Sequence, residues 1–185
     1  MIIGIVGTNG SGKGSVVDYL KEIGFIHYSV RAFIENLLEK EGIFPSRRNL
    51  IMKGNELRKQ KGADYIIKEI YNKSASETSD IVIESIRCLA EITFLKKKKD
   101  VLIFGVDANT KLRFSRIKKR NSNTDHISYD SFIKEEMLEL SNVSEFKQNI
   151  LGCISKADYV FYNNGTKEEL NYQLDKVIKN KLVKL

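Results

Sequence analysis

Short apolar runs at positions 2–6, 25–28, 81–83, 101–106 and 159–161 are separated by longer stretches in which apolar residues return every three or four positions. The runs are too short for helices and rich in Ile, Val, Phe and Tyr, so they predict buried strands. Between them, Val30, Phe33, Ile34, Leu37 and Leu38 share one helical face, as do Tyr129, Phe132, Ile133, Met137 and Leu140. Each set predicts a helix packed by that face. A last helix is announced by Thr166 with Glu169 three positions on, a capping box, ahead of Leu170, Leu174, Val177 and Ile178. Strands alternating with helices imply an α/β fold, a three-layer α/β/α sandwich around a five-stranded parallel sheet. Ligands of such sheets lie beyond the carboxyl ends of the strands, so the residues that follow each run are the candidates for chemistry.

Composition narrows the function classes. The chain has 185 residues, enough for one buried core, and neither a repeat nor a Pro- or Ser-rich linker divides it, so a single domain over 1–185 is expected. The apolar opening is cut by glycines far below membrane-spanning length, which predicts neither a signal peptide nor a membrane segment. Cys88 and Cys153 have no C-x-x-C partner, giving neither a disulfide framework nor a zinc site, and a reducing, cytoplasmic location is expected. The net charge of +7 suits nucleic acid, a membrane surface or small polyanions such as nucleotides, and charge alone does not choose among them. The lysine run at 96–99 reads as the solvated end of a helix, favourable at the C-terminal dipole. His27 and His126 lack a second ligand at metal spacing, and neither is assigned to catalysis.

The chemistry is carried by Gly7-Thr8-Asn9-Gly10-Ser11-Gly12-Lys13, a G-x-x-x-x-G-K pattern between the first strand and a helix through Val16, Val17 and Leu20. Its glycines let the loop curl so that backbone N–H groups point at phosphate oxygens, and the helix N-terminus adds positive potential. Gly7, Asn9, Gly10, Ser11, Gly12, Lys13, Gly14 and Ser15 are the expected ATP-binding residues, with Lys13 reaching the β- and γ-phosphates. The position after Lys13 is Gly14 and the hydroxyl comes one later, at Ser15, so position 14 cannot ligate Mg²⁺.

This Gly-Lys-Gly-Ser ending resembles the phosphate loop of adenylate kinase and the other nucleoside monophosphate kinases, and the resemblance spans nearly the whole chain. It implies a P-loop core at 1–28, 63–118 and 130–185, a helical acceptor-binding arm at about 29–62 and a short lid at about 119–129. Arg116-Ile117-Lys118-Lys119-Arg120 repeats the family's R-I-x-x-R, which implies Arg116 against adenine and Arg120 on the transferring phosphate. The segment Ala157 to Thr166 is similar to the adenine-side loop of nucleotide kinases and dephospho-CoA kinases, implying Asn164, Gly165 and Thr166 at the ATP base. Glu84 closes the third run, where P-loop enzymes place an acid on the Mg²⁺ water shell, so Mg²⁺ is expected near Ser15 and Glu84, through water. Lys13, Arg116, Arg120 and Glu84 make up the expected catalytic set. Asp107 also follows a strand but reads as the cap of the helix through Leu112.

The acceptor side departs most from that pattern. Adenylate kinases have S-T-G-D-x-L-R after the second strand; here stand Ser29-Val30-Arg31-Ala32-Phe33-Ile34-Glu35, with glutamate in the place of the phosphate-binding arginine. Ser29 and Arg31, helped by Arg58, are the expected acceptor residues. Arg87 is similar to the arginine of D-G-x-P-R, with spacing one residue shorter and no proline. The expected reaction moves the γ-phosphoryl group of Mg·ATP onto a nucleoside or deoxynucleoside monophosphate, with no membrane or nucleic-acid partner. Two alternatives stay open: a dephospho-CoA kinase, which needs a base for a ribose hydroxyl, and a non-catalytic nucleotide-binding or RNA-associated protein.

Overall fold

The computed structural model describes residues 1–74, 76–120 and 128–182. Five parallel strands, β1 (Ile2–Gly7), β2 (Ile26–Ser29), β3 (Ile81–Ile86), β4 (Val101–Asp107) and β5 (Tyr159–Tyr162), lie in the order β2-β3-β1-β4-β5. The nine described helices are α1 (Lys13–Glu22), α2 (Val30–Lys40), α3 (Arg47–Lys61), α4 (Tyr65–Ser74), α5 (Leu89–Lys96), α6 (Thr110–Arg120), α7 (Tyr129–Leu140), α8 (Ile150–Ser155) and α9 (Lys167–Leu182).

Strand alternation sends side chains to two cores. Ile3, Ile5, Val82, Phe104 and Val106 pack against α1 and α9, through residues such as Val16, Leu20, Leu170 and Leu174. Val6, Ile81, Ile83 and Ile103 pack against α2, α4, α5 and α8. Central parallel strands are covered on both faces, which explains why they read as continuous apolar runs. Caps set the helix entries. Ser29, Ser46, Ser128 and Asn149 each accept a backbone N–H of the first turn, and Thr166 with Glu169 forms the expected reciprocal box before α9.

Two features differ from expectation. β3 runs on to Ile86, so Glu84 lies inside the strand. Register against β1 passes from Gly4↔Ile83 to Val6↔Ile86, a bulge that contains Ser85 at φ 67°. One extra residue there bends the strand and re-aims the side chains that follow it. The second is α7, which buries Phe132, Glu136 and Glu139 while Met137 is 65% exposed and Tyr129 and Leu138 also face water. Its covered face is carboxylate because arginines lie beneath it. Most of the expected lid, 121–127 with His126, lies outside the described residues; residues 29–62, expected as an arm, contain α2 and α3. No helix of the described residues is long and apolar enough to cross a membrane.

Candidate functional site

The loop from β1 to α1 lies at the carboxyl edge of the sheet, where β1 is flanked by β3 and β4. Gly10 and Gly12 adopt φ of 77° and 96°, and a Cβ at Gly10 would stand 2.5 Å from the Arg113 carbonyl oxygen. Only glycine meets both demands without strain. Gly12 begins α1 with no side-chain cap and no acidic residue in its first turn, so the N–H groups there have no competing side-chain acceptor. Lys13 folds back, its Nζ donating to the carbonyls of Gly7 (3.0 Å) and Thr8 (2.7 Å). Withdrawal from water, and then repulsion from Arg87, lowers its pKa to about 7 despite the pull of Glu84 and Glu139. A bare helix N-terminus beside a desolvated ammonium fits a polyphosphate.

Side chains from outside the loop hold its shape. Thr8 Oγ1 donates to Asp107 (2.6 Å), Asn163 Nδ2 donates to the Ser11 carbonyl (2.9 Å), and Arg113 Nη1 donates to the Asn9 carbonyl (3.2 Å). Asp107, expected to cap the following helix, instead accepts from the loop and from the Ala108 N–H, and α6 starts at Thr110. Asn163 and Arg113 carried no sequence signal of this role. Ser11 turns inward, its hydroxyl on the Thr8 carbonyl, and so shapes the loop instead of facing the cleft.

Asn9, Gly10, Gly12, Lys13, Gly14 and Ser15 line a broad cleft that Glu84, Arg116 and Arg120 complete. Glu84 accepts the hydroxyls of Ser29 (2.9 Å) and Ser85 (2.7 Å), which fixes its carboxylate in the cleft that Ser15 also lines, a donor set that fits a hydrated Mg²⁺. Among the described residues no group of three or more His, Cys, Asp or Glu is placed to hold a metal by itself. Arg116 donates to the Asn163 carbonyl (2.9 Å) and reaches the cleft from α6. Asn164, Gly165 and Thr166 do not line the cleft; Asn164 accepts the Asn109 N–H, and Thr166 is occupied by the α9 cap. Ser29 caps α2 and donates to Glu84, and lines neither cavity.

A second cavity opens beside the cleft and shares Asn9, Arg31, Ser85, Arg87 and Arg120 with it. Its wall is apolar, from Val30, Ile34, Leu50 and Ile51, and its polar groups are mainly arginines, Arg47 and Arg58 joining the shared three. The three expected acceptor arginines converge here, but each already has a partner. Arg31 pairs with Glu35 (2.7 Å), and Arg58, 1% exposed, gives Nε and Nη2 to the buried Glu91. Arg87 pairs with Glu139, to which Arg47 also donates (2.7 Å). Burial alone would raise the Glu139 carboxyl, but Arg87 and Arg47 hold it below the usual range. Arg47, Glu139 and Gln148 are pocket residues that sequence reasoning missed.

Comparison with known proteins agrees with the fold. The AAA domain family matches residues 3–140. A UPF0200 protein of Methanococcus vannielii is 33% identical over 187 residues, covering 97% of each chain. The crystal structure of TT1252 from Thermus thermophilus superposes with a TM-score of 0.64 at 19% identity, over 97% of both chains. Shikimate kinase from Bacteroides thetaiotaomicron superposes with a TM-score of 0.60 at 13% identity, over 97% of this chain and 98% of that one. At such identities the two structures share the fold, a P-loop kinase-like α/β sandwich.

Proposed function

The chain belongs to the AAA domain family and to the UPF0200 proteins, and from that premise we propose that it is an ATP-dependent phosphotransferase acting on a nucleoside or deoxynucleoside monophosphate. The observation that carries this reading is the junction of two cavities. The phosphate-loop cleft and the arginine-lined pocket share Arg31, Arg87 and Arg120, so donor and acceptor phosphates would meet among guanidinium groups. Phosphoryl transfer asks chiefly for positioning and for neutralisation of charge on the transferring group. Lys13 and the α1 N-terminus would hold the β- and γ-phosphates, Arg120 would stand at the junction, and Arg116 would bound the nucleotide cleft from α6. Mg²⁺, brought with ATP and held through water by Ser15 and Glu84, would add charge neutralisation. The apolar wall of Val30, Ile34, Leu50 and Ile51 would exclude water beside the acceptor.

A hydroxyl acceptor, as in dephospho-CoA kinase, would need a general base. Two of the carboxylates lining the cavities suit that poorly, since Glu84 is held by two hydroxyl donors and Glu139 is held ionised by two arginines, while Asp18 and His27 line the phosphate-loop cleft but not the arginine pocket. An acceptor that is already a phosphate needs no base. The test is ADP release from Mg·ATP with a panel of ribonucleoside and deoxyribonucleoside monophosphates, dephospho-CoA and shikimate. Turnover with a subset of the monophosphates is expected. Turnover with dephospho-CoA or shikimate alone would replace this reading by a hydroxyl kinase, and silence across the panel with ATP still bound would leave a nucleotide-binding protein.

A further inference from the structure

Glu139 is 2% exposed, lines the arginine pocket and accepts from Arg47 Nε (2.8 Å), Arg47 Nη2 (2.7 Å) and Arg87 Nη1. It comes from α7, the first described helix after the expected lid. Two buried guanidinium nitrogens of the same pocket, Arg47 Nη1 and Arg58 Nη1, have no hydrogen-bond partner among the described residues. Arg47 Nη1 has only the distant Glu135 carboxylate, at 3.5 Å. The pocket therefore holds more donors than its own carboxylates use. Leaving such donors unmet costs desolvation free energy that a better acceptor would recover.

We infer that Glu139 is an internal stand-in for the acceptor, and that a phosphate monoester dianion displaces it from Arg47 and Arg87 and thereby frees the C-terminal end of α7, whose Glu136 stays on Arg113. This rests on the reading of that pocket as the acceptor side. Charge selects the class of ligand. Arg47 and Arg87 carry two positive charges, and Glu139 is the one carboxylate hydrogen-bonded to both among the described residues, Glu135 standing 3.5 Å from Arg47 alone. A carboxylate ligand would only exchange one charge for the same charge, against a competitor tethered at high effective concentration. A phosphate dianion neutralises both guanidiniums and offers a third oxygen to Nη1 of Arg47 or Arg58, so it wins where a carboxylate does not. Glu139 is thus a specificity residue, rejecting carboxylate acceptors in favour of phosphates.

The chain contains no tryptophan, so Met137→Trp on the exposed side of α7 gives a single fluorescent reporter. Inorganic phosphate is titrated into this variant in a Lys13→Ala background, which silences the phosphate loop, with acetate at equal ionic strength as the comparison. Phosphate is expected to shift the emission and acetate to leave it unchanged, and Arg87→Gln to abolish the response. Adding Glu139→Gln should tighten phosphate binding about tenfold or more, since the tethered competitor is gone, and remove most of the emission shift because that end of α7 is already free. Unchanged or weaker binding in Glu139→Gln, or equal response to acetate, overturns the inference. Should Glu139→Gln fail to fold, a flat emission in the parent reporter overturns it equally. Because no ATP is present, a chain that transfers nothing can still show the exchange. Conversely, monophosphate turnover whose acceptor KM ignores Glu139→Gln would spare the kinase and remove the exchange.

Discussion

Arg113 is 4% exposed and spends its guanidinium on four partners: the Ala108 carbonyl (2.9 Å), the Asn9 carbonyl (3.2 Å), Thr110 Oγ1 (3.1 Å) and both oxygens of Glu136. Its planar fork, which lysine lacks, lets one side chain join the phosphate loop, the β4–α6 turn and α7. Removing one partner of a buried pair leaves the other uncompensated. Arg113→Ala should therefore cost roughly 3–5 kcal/mol, measured by urea unfolding. In a chain of this size that lowers the melting temperature on the order of 10 °C. The double variant Arg113→Met, Glu136→Leu removes both charges and should regain most of the loss; if it is no more stable than Arg113→Ala, the pair is not what holds the junction. No sequence rule isolates this residue. It sits in a helix with Lys111, Arg116, Lys118, Lys119 and Arg120, where one more cation reads as solvated surface. Lys13, by contrast, is fixed by a spacing whose every glycine has a backbone reason.

At the scale of the element, α7 shows where hydrophobic periodicity misleads. Phe132 is buried as expected and stacks with Phe114 and Tyr129 in a small aromatic cluster, but Met137 and Leu138 are left to solvent. Glu136 and Glu139, three apart and so on one face, point at Arg113, Arg47 and Arg87. Pairing these five charged groups outweighs burying one methionine, and a pattern of apolar positions cannot register that. The helix should consequently be sensitive to acid. Glu139 ionises more readily in the folded chain than its unfolded reference near 4.3. A depressed folded pKa adds stability that is fully present above the unfolded value and is lost as pH falls through the lower folded one. Urea midpoints of wild type and Glu139→Gln should differ most above about pH 5 and converge as pH falls below the ordinary glutamate range. A gap that is constant from neutral pH into acid would mean that the charge on Glu139 contributes nothing to holding α7.

For the whole molecule, each of the five apolar runs became a strand, because parallel strands covered on both faces must be apolar throughout. The order β2-β3-β1-β4-β5 and the arginine pocket were not legible, since neither is a local property. The pocket joins α2, α3, the β3 exit, α7 and the approach to α8, and its Arg47–Glu139 contact spans 92 positions of sequence. The same separation between core and site makes the phosphate loop testable without disturbing the fold. Both cores lie beneath the sheet faces and include no side chain of residues 7–15. Among the described residues Lys13 bonds only to carbonyls of its own loop, each worth about 1 kcal/mol net. Lys13→Ala should accordingly melt within a few degrees of wild type when no nucleotide is present. Mg·ATP at a hundredfold excess over its Kd stabilises a native protein by about 2.7 kcal/mol, a rise of about 5–10 °C here. Wild type should show that rise in a thermal melt and Lys13→Ala should lose nearly all of it. Equal rises would place the nucleotide away from the loop, and a Lys13→Ala chain already unfolded at room temperature would make the loop part of the core rather than an addition to it.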